Sequence, residues 1–315
     1  HGGDIETFVS EFGAQPIDLS ANINPFGVPE AVRAAMHRAV DECAHYPDPF
    51  CRAARRAIGA REGVNPDFLY CGNGAADLIF RLALALRPRR ALLPAPTFAE
   101  YAAALDTVGC TITRFMLDEV NDFAVTEAFI NAVTPEIDLV FLCQPNNPTG
   151  QVTPPALVEK MLRRCVACGA VLLVDECFLH FLPARNELTA KALLHDTPNL
   201  IVLKAFTKLY AMAGVRLGYA LCGNAALMDK MRAAGQPWAV SSLAQAAGVA
   251  ALQETAYADA VRALIADQRP RLAAGLRALG LRVLDGRANY LLFQGPETLG
   301  DALRQRGIVL RSCGN

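Results

Sequence analysis

The sequence predicts an α/β fold built on a mainly parallel, seven-stranded sheet flanked by helices, with a smaller α+β domain beside it. Short segments rich in Val, Leu and Ile alternate with helical segments between residues 46 and 235. Some are apolar at nearly every position, which is typical of strands buried on both faces of a covered parallel sheet. After residue 240, a long helical stretch precedes two further strand candidates, which indicates the smaller domain.

The strand candidates of the large sheet are DFLYC, RALLPA, TITRFML, DLVFLCQP, AVLLVDECF, LIVLKAF and RLGYALC, and those of the smaller domain are YLLFQ and GIVLR. Helices connect them. The segment that starts at Pro155 and stops at Gly169 has a proline start and a glycine end, and Pro29 precedes a helix expected to run to Ala39. We expect residues 240–279 to form a long helical stretch that Pro270 interrupts.

Three domains or segments follow from this pattern. We expect residues 1–45 to join the small domain, residues 46–240 to form the large domain, and residues 241–315 to form the C-terminal small domain. The chain begins at His1 and stops at Asn315, directly after GIVLRSC. Both ends therefore look cut, and the small domain is expected to be incomplete.

The composition excludes several classes of protein. Apolar residues make up 53% of the chain and charged residues 19%, which excludes a disordered chain. The net charge is −1 and no Lys/Arg run is long enough to make a basic patch, so we expect no nucleic-acid partner. The ten cysteines, several in apolar runs, indicate a reducing compartment, and Cys165 and Cys168 lack the second pair that a zinc site needs. We expect a cytoplasmic protein without a metal site, a signal peptide or a membrane span.

Two turns carry patterns that suit ligand binding. In YCGNGAADL, a strand ends and a helix starts near Ala75, so the backbone around Asn73 and Gly74 could hold a phosphate at the helix N-terminus. The same turn is also compatible with a purely structural role. In PNNPTG, prolines hold Asn147 at the end of an apolar strand, where α/β proteins bind ligands. A well-formed surface turn is the alternative.

Two charged residues follow apolar strands. Asp175 ends the strand LLVD, and a carboxylate there needs a cationic partner or a cap to offset its desolvation. Lys208 lies in AFTKLYAMAGVRLGY, and a buried lysine has a lowered pKa that would make its amine a nucleophile. A helix cap or salt bridge for Asp175, and a surface position for Lys208, are the alternatives.

Taken together in this chain order, the motifs resemble the pyridoxal-phosphate (PLP) enzymes of the class I and II aminotransferase family, which have fold type I. The resemblance extends over nearly the whole chain. It implies PLP as cofactor and a homodimer with shared active sites. Lys208 would bind the cofactor aldehyde and then transfer protons, Asp175 would pair with the pyridinium nitrogen, and Phe98 would stack on the ring. Asn147 would hydrogen-bond the ring O3′ and lie next to the substrate.

The resemblance also assigns the cofactor phosphate. Its ligands would be the backbone around Gly74, with Thr207 and Arg216, and Tyr46 of the neighbouring subunit. Gly214 and Gly218 would let the chain turn so that Arg216 reaches the anion. These cofactor-binding residues are Tyr46, Asn73, Gly74, Ala75, Phe98, Asn147, Asp175, Thr207, Lys208 and Arg216.

Within the family, SANINPFG, HYPDP and GRANYLL resemble the histidinol-phosphate aminotransferase branch. HGGDI, FAEY, FLCQPNNPTG, DECFLHF, PWAVSSLA and LRSCGN are more similar to the branch that decarboxylates L-threonine O-3-phosphate in cobalamin biosynthesis. That branch implies a small phosphorylated amino acid as substrate, with its phosphate held by His1, Asn22 and Arg311. Trp238 is interpreted either as a core residue or as part of the site.

One position departs from the common family pattern. Three residues after Asp175, many aminotransferases have a tyrosine, and this chain has Phe178, which cannot donate a hydrogen bond to O3′. This counts against a standard aminotransferase. A non-catalytic PLP-binding regulator is a third hypothesis. The intact set of Lys208, Asp175 and Arg216, and the lack of a DNA-binding segment, argue against it.

Overall fold

The fold is described by a computed structural model, which covers residues 2–195 and 197–313. The strands in this part of the chain are β1 Ile17–Asp18, β2 Leu69–Gly72, β3 Arg90–Ala95, β4 Thr111–Met116, β5 Leu139–Cys143, β6 Val171–Asp175, β7 Leu200–Ala205, β8 Gly218–Leu221, β9 Arg282–Val283, β10 Phe293–Gln294 and β11 Ile308–Val309. The α-helices are α1 Ile5–Phe12, α2 Glu30–Val40, α3 Arg52–Glu62, α4 Gly74–Leu86, α5 Glu100–Asp106, α6 Glu127–Asn131, α7 Pro155–Cys168, α8 Arg185–Leu188, α9 Ala225–Ala233, α10 Ser242–Ala251, α11 Thr255–Ala278 and α12 Leu299–Arg304.

The large sheet has seven strands in the order β2-β8-β7-β6-β5-β3-β4. Strands β3 to β7 pair in parallel, whereas β8 is antiparallel to both β7 and β2. Six strands therefore run in one direction and β8 runs in the other. This confirms the predicted mainly parallel, seven-stranded sheet, and each of its strands lies within or overlaps its predicted segment.

Both faces of this sheet are buried, which explains why its strands are apolar at successive positions. In β5, Phe141 and Cys143 lie on one side, whereas Val140 and Leu142 lie on the other. The first side packs against α4, α5 and α9, and the second against α3, α7, α10 and α11. Period-2 alternation between apolar and polar residues is absent from β5 because neither side faces water.

Two smaller pairings tie the ends of the chain into the fold. β1 pairs in parallel with β11, so an N-terminal segment contacts a C-terminal one. β10 pairs antiparallel with β9. Neither the strand β9 nor the helix α1 was anticipated from the sequence. The proposed boundaries after residues 45 and 240 stay predictions.

The helices follow their end signals, with one correction. Helix α7 starts at Pro155 and ends at Cys168, and Gly169 directly after it adopts the left-handed conformation with φ 76°. The predicted interruption at Pro270 is wrong, because α11 continues through this residue and the break instead separates α10 from α11. Pro270 and Ala266 are both exposed, so water can donate a hydrogen bond to the Ala266 carbonyl, which has no N–H partner at Pro270.

None of the helices in residues 2–195 and 197–313 is long and apolar enough to cross a membrane.

We predict that Leu172→Ala lowers the free energy of unfolding by about 2–5 kcal/mol, because Leu172 is fully buried in β6 and its truncation leaves a cavity. The matched control is Leu272→Ala in α11, since Leu272 is 58% exposed and its change should stay within about 0.5 kcal/mol. Denaturant unfolding of both variants measures the difference. Equal losses would contradict this account of the core.

Candidate active site

The predicted site residues gather at one edge of the large sheet. β2, β3, β5, β6 and β7 all end at this edge, and Gly74, Phe98, Asn147, Asp175 and Lys208 follow or end them. β8 runs in the opposite direction, so its first residue lies at the same edge. Arg216, two residues before β8, is thereby brought to the ends of the other strands. Ligands of open α/β sheets bind at this kind of edge.

Asp175 is a buried carboxylate that has hydrogen bonds but no charged partner. It is 4% exposed, and its Oδ2 accepts a hydrogen bond from the Tyr101 hydroxyl at 2.7 Å. Its Oδ1 accepts one from the Cys177 N–H at 3.0 Å. No Lys, Arg or His among residues 2–195 and 197–313 forms an ion pair with it. Burial therefore raises the pKa of Asp175 above its ordinary value, although both hydrogen bonds oppose the shift.

Tyr101 was not singled out by the sequence analysis. It is fully buried, and its ring lies edge-on to Phe98 at 5.5 Å between centroids. Tyr101 thus contacts both Asp175, through its hydroxyl, and Phe98, the ring predicted to stack on the cofactor, through its own ring. The only available signal was its position three residues after Phe98 in the motif FAEY, and spacing alone does not say that the hydroxyl meets a carboxylate 74 residues later.

Lys208 lies close to Phe178 and to the N-terminal segment. Its Nζ donates a hydrogen bond to the carbonyl oxygen of Ala21 at 3.0 Å and lies 5.7 Å from the centroid of the Phe178 ring. Burial lowers the pKa of Lys208, and the positive charges of Arg311 and Arg216 lower it further. The neutral, nucleophilic amine is therefore available at a lower pH than in an ordinary lysine.

The helix N-terminus at Gly74 and the guanidinium of Arg216 lie against each other. Gly74 has φ 84°, and a Cβ at this residue would lie 2.6 Å from Arg216 Nη2. A Cβ at Gly218 would lie 2.7 Å from the Ala75 nitrogen. Two glycines thus allow the cation to lie beside N–H groups of the first helical turn, which have no carbonyl partner within the helix. Cation and helix N-terminus together form a site for an anion.

The expected role of the two glycines near Arg216 needs a correction. Arg216 itself adopts the left-handed conformation, with φ 62°, and neither Gly214 nor Gly218 does. The arginine therefore makes the turn, whereas Gly218 is required because the backbone of Ala75 approaches so closely. Gly214 has open space around it. A left-handed non-glycine residue costs free energy and is common at functional sites.

Asn147 is placed by contacts of its neighbours. It is 5% exposed, and its side chain has no hydrogen-bond partner in the described part of the chain. The carbonyl of Asn146 accepts a hydrogen bond from the Tyr290 hydroxyl at 2.7 Å, and the Tyr290 ring lies edge-on to Phe178 at 5.0 Å. Tyr290, in the segment GRANYLL, was not predicted as a site residue. It brings the C-terminal part of the chain next to Phe178 and hence to Lys208.

The residues predicted to bind substrate lie on both terminal segments. Asn22 directly follows Ala21, whose carbonyl accepts the hydrogen bond from Lys208, and it adopts a left-handed conformation with φ 49°. Arg311 is half-buried and lies close enough to Lys208 to lower its pKa. Thr207, next to Lys208, is half-buried. His1 lies outside the described residues.

Tyr46 lies apart from these contacts. It is 80% exposed and stacks on Trp238, with the ring centroids 4.7 Å apart. Trp238 is itself 45% exposed, so the interpretation as a core residue is wrong. The role of Tyr46 at the phosphate of a neighbouring subunit stays a prediction, as do the cofactor and substrate roles of the other site residues.

Comparison of the sequence with known proteins identifies the family to which the chain belongs. The profile of the family described as aminotransferase class I and II matches residues 14–315. The chain belongs to this family. Threonine-phosphate decarboxylase of Salmonella typhimurium is 38% identical over 322 residues, which cover 100% of this chain and 88% of that protein. Histidinol-phosphate aminotransferase 1 of Cupriavidus pinatubonensis is 32% identical over 330 residues, with 100% and 85% covered.

Solved structures of this aminotransferase family have the same fold. Histidinol-phosphate aminotransferase from Sinorhizobium meliloti, in complex with pyridoxal-5'-phosphate, superposes with a TM-score of 0.88 at 25% identity and covers 98% of this chain and 85% of that one. The Clostridium acetobutylicum enzyme gives 0.87 at 26% identity, with 94% and 89% covered. The predicted fold type I and the predicted cofactor are both confirmed. This aminotransferase-family protein is a PLP-dependent enzyme.

The residues at the sheet edge fit PLP chemically. Asp175 is a buried carboxylate that needs a cation, and a protonated pyridine nitrogen supplies one. Lys208 has a lowered pKa, which suits bonding to an aldehyde. The first turn of α4 and Arg216 suit a phosphate. These three groups match the pyridine nitrogen, the aldehyde and the phosphate of the cofactor.

We predict that Gly74→Ala weakens PLP binding by about tenfold or more, because its Cβ would displace the Arg216 guanidinium from the helix N-terminus. Gly63→Ala is the matched control. Gly63 also has a positive φ, 68°, but a Cβ there meets nothing within 4 Å. Both variants bear a similar backbone cost, so only the loss at Gly74 reports on Arg216. PLP titration followed by absorbance measures both affinities, and equal losses would refute this role.

We predict that borohydride links PLP to the peptide containing Lys208 and that Lys208→Ala abolishes this link. Trapping in the unmodified protein should persist at pH values where a free lysine amine is protonated, because burial lowers the pKa of Lys208. Lys230→Ala, which removes an exposed lysine, should change nothing. Peptide mapping after reduction at several pH values tests this. A label on another lysine would sink the assignment.

Proposed function

We propose that this enzyme decarboxylates L-threonine O-3-phosphate and forms (R)-1-amino-2-propanol O-2-phosphate, a step in cobalamin biosynthesis. The observation that carries the proposal is the position of Arg311, a cation without an ion-pair partner in the described part of the chain that lies near Lys208. A guanidinium in that position suits bidentate binding of a substrate phosphate. Asn22, next to the carbonyl that Lys208 contacts, would add a neutral hydrogen-bonding group.

The comparisons support this substrate. The 38% identity to threonine-phosphate decarboxylase exceeds the 32% identity to histidinol-phosphate aminotransferase 1, and both alignments cover the whole of this chain. Phe178 supports it as well, since its ring faces Lys208 and cannot donate a hydrogen bond. Identity at this level still leaves a second candidate, which is transamination of histidinol phosphate with 2-oxoglutarate and glutamate.

The residues would divide the work as follows. PLP, when bound, supplies an electron sink for the pair left at Cα when carbon dioxide departs. Asp175 would keep the ring nitrogen protonated, and Asn147 would orient the ring and the substrate. Lys208 would deliver the proton that replaces the lost carboxylate at Cα, so one substrate and one proton give one amine and one carbon dioxide. Arg311 and Asn22 would hold the phosphate.

We also propose a homodimer. Tyr46 and Trp238 form an aromatic pair that is largely exposed in the single chain, and exposed aromatic pairs of this kind suit a protein interface. In the dimer, Tyr46 would reach the cofactor phosphate of the other subunit. All ten cysteines are free, which supports a reducing compartment, and we propose the cytoplasm.

The decisive experiment supplies the holoenzyme with L-threonine O-3-phosphate in the absence of any keto acid and measures carbon dioxide. We expect its stoichiometric release, together with the aminopropanol phosphate. Amino-group exchange between histidinol phosphate and 2-oxoglutarate, without carbon dioxide from threonine phosphate, would replace the proposal with the second candidate.

We predict that Arg311→Gln raises the KM for L-threonine O-3-phosphate by about tenfold or more, because a charged hydrogen bond to the phosphate is lost. The change in kcat should be smaller, since the phosphate is not the reacting group. Arg306→Gln is the matched control, because Arg306 is exposed in the same terminal segment. An unchanged KM in Arg311→Gln would remove this residue from the substrate site.

A further inference from the structure

A cavity of about 220 Å³ lies on the other side of the strand ends from Asp175. It is bounded by the C-terminal end of α3, by residues 179–191, by the end of β7 and by α11. None of the residues assigned to PLP or to the substrate lines it. It is therefore separate from the candidate active site.

The lining of this cavity is strongly cationic. Its positively charged residues are Arg61, Arg185, Lys191, Lys204 and Arg262. Glu62 is the one acidic residue among the described residues that line it. Five cations thus line one concave space together with a single carboxylate.

Glu62 is fully engaged by its neighbours. Its carboxylate accepts hydrogen bonds from the Tyr219 hydroxyl at 2.6 Å, from Lys191 at 2.9 Å and from Lys204 at 3.0 Å. Burial alone would raise the pKa of Glu62, but Lys204 and its other partners hold it well below its usual range. Glu62 pairs with both lysines, and Lys204 also pairs with Glu176, so these carboxylates are engaged by the lysines and not by the arginines.

The three arginines lack comparable neutralisation. Arg61 and Arg185 form no ion pair within the described part of the chain, and Arg185 donates only long hydrogen bonds to the carbonyls of Leu182 and Pro183, at 3.5 and 3.4 Å. Arg262 pairs with Asp259 at 2.6 Å, at the exposed rim. Burial, and next the charge of Arg262, lower the pKa of Arg185, which indicates an unfavourable concentration of positive charge.

We propose that this cavity is a second ligand site, which binds a small organic phosphate between Arg61, Arg185 and Arg262. Arginine forks match the oxygen geometry of phosphate, and an anion relieves the repulsion between the guanidinium groups. The volume is below the range of about 300–1,000 Å³ that is usual for drug-sized ligands, so the ligand carries few atoms besides its phosphate. His180, which also lines the cavity, adds a neutral imidazole, since burial and the charge of Lys204 lower its pKa to about 3.

The cavity lies next to the chain segments that carry Lys208 and Asp175. Leu209 and Tyr210 line the cavity and directly follow Lys208. Glu176, which follows Asp175, pairs with the cavity residue Lys204 at 3.5 Å. The cavity therefore borders the segment that carries Lys208 and, through Lys204, contacts the residue after Asp175, while no residue assigned to PLP or to the substrate lines it.

The test measures the binding of inorganic phosphate and of glycerol 3-phosphate to the PLP-loaded enzyme by titration calorimetry. All variants carry Arg311→Gln, which should weaken phosphate binding at the proposed substrate-phosphate site by about tenfold or more. In this background we expect one phosphate site per chain. Adding Arg61→Gln and Arg185→Gln should weaken binding by about tenfold or more. Adding Arg56→Gln, an exposed arginine of the same helix α3, should leave it unchanged.

Two results would overturn the proposal. One is the absence of phosphate binding in the Arg311→Gln background, and the other is equal binding in the double arginine variant and in the Arg56→Gln control. If the double variant does not fold, the single change Arg61→Gln replaces it. Because Arg61 is exposed, this variant should fold, and we expect it to weaken phosphate binding severalfold. Because no reaction is measured, the result does not depend on whether the enzyme is a decarboxylase or an aminotransferase.

Discussion

The active-site edge depends on one buried carboxylate. Asp175 ends a strand that is covered on both faces, and it is held by the hydroxyl of Tyr101 and the N–H of Cys177 without a cation of the described chain beside it. Such a group is costly unless a positive charge arrives. A protonated pyridine nitrogen of PLP would supply that charge, so the predicted pairing with Asp175 would add to the free energy of cofactor binding. Tyr101 fixes the carboxylate in advance, which reduces the reorganisation needed on binding.

The direction of β8 determines where Arg216 lies relative to the helix N-terminus that is predicted to bind the cofactor phosphate. Had β8 run parallel to its neighbours, Arg216 would lie at the opposite edge of the sheet. Its antiparallel course places Arg216 beside the first turn of α4, and the lack of side chains at Gly74 and Gly218 lets the two come into contact. Arg216 adopts its left-handed φ of 62° in the turn directly before β8.

Two buried carboxylates at the end of β6 point to opposite faces of the large sheet. Asp175 and Glu176 are consecutive, and consecutive residues of an extended chain point to opposite sides. One carboxylate therefore faces Tyr101, and the other meets Lys204, Thr189 and the N–H of Ala190. The buried cluster around Glu62 continues this second, reverse side and opens into the cationic cavity. Cofactor chemistry and the proposed anion site thus share a backbone without sharing side chains.

The sequence by itself determined the sheet and its seven strands and predicted the main candidate site residues, because these depend on local properties. Apolar runs, proline and glycine at helix ends, and the motifs around Asn147, Asp175 and Lys208 are all readable from neighbouring residues. Only the tertiary structure decided that Tyr101 holds Asp175, that Tyr290 reaches Phe178, and that Arg216 rather than its glycines makes the turn. The cationic cavity also became visible only there, since Arg61, Arg185 and Arg262 come from distant segments. Their convergence depends on how helices pack across the sheet, which short-range patterns do not encode.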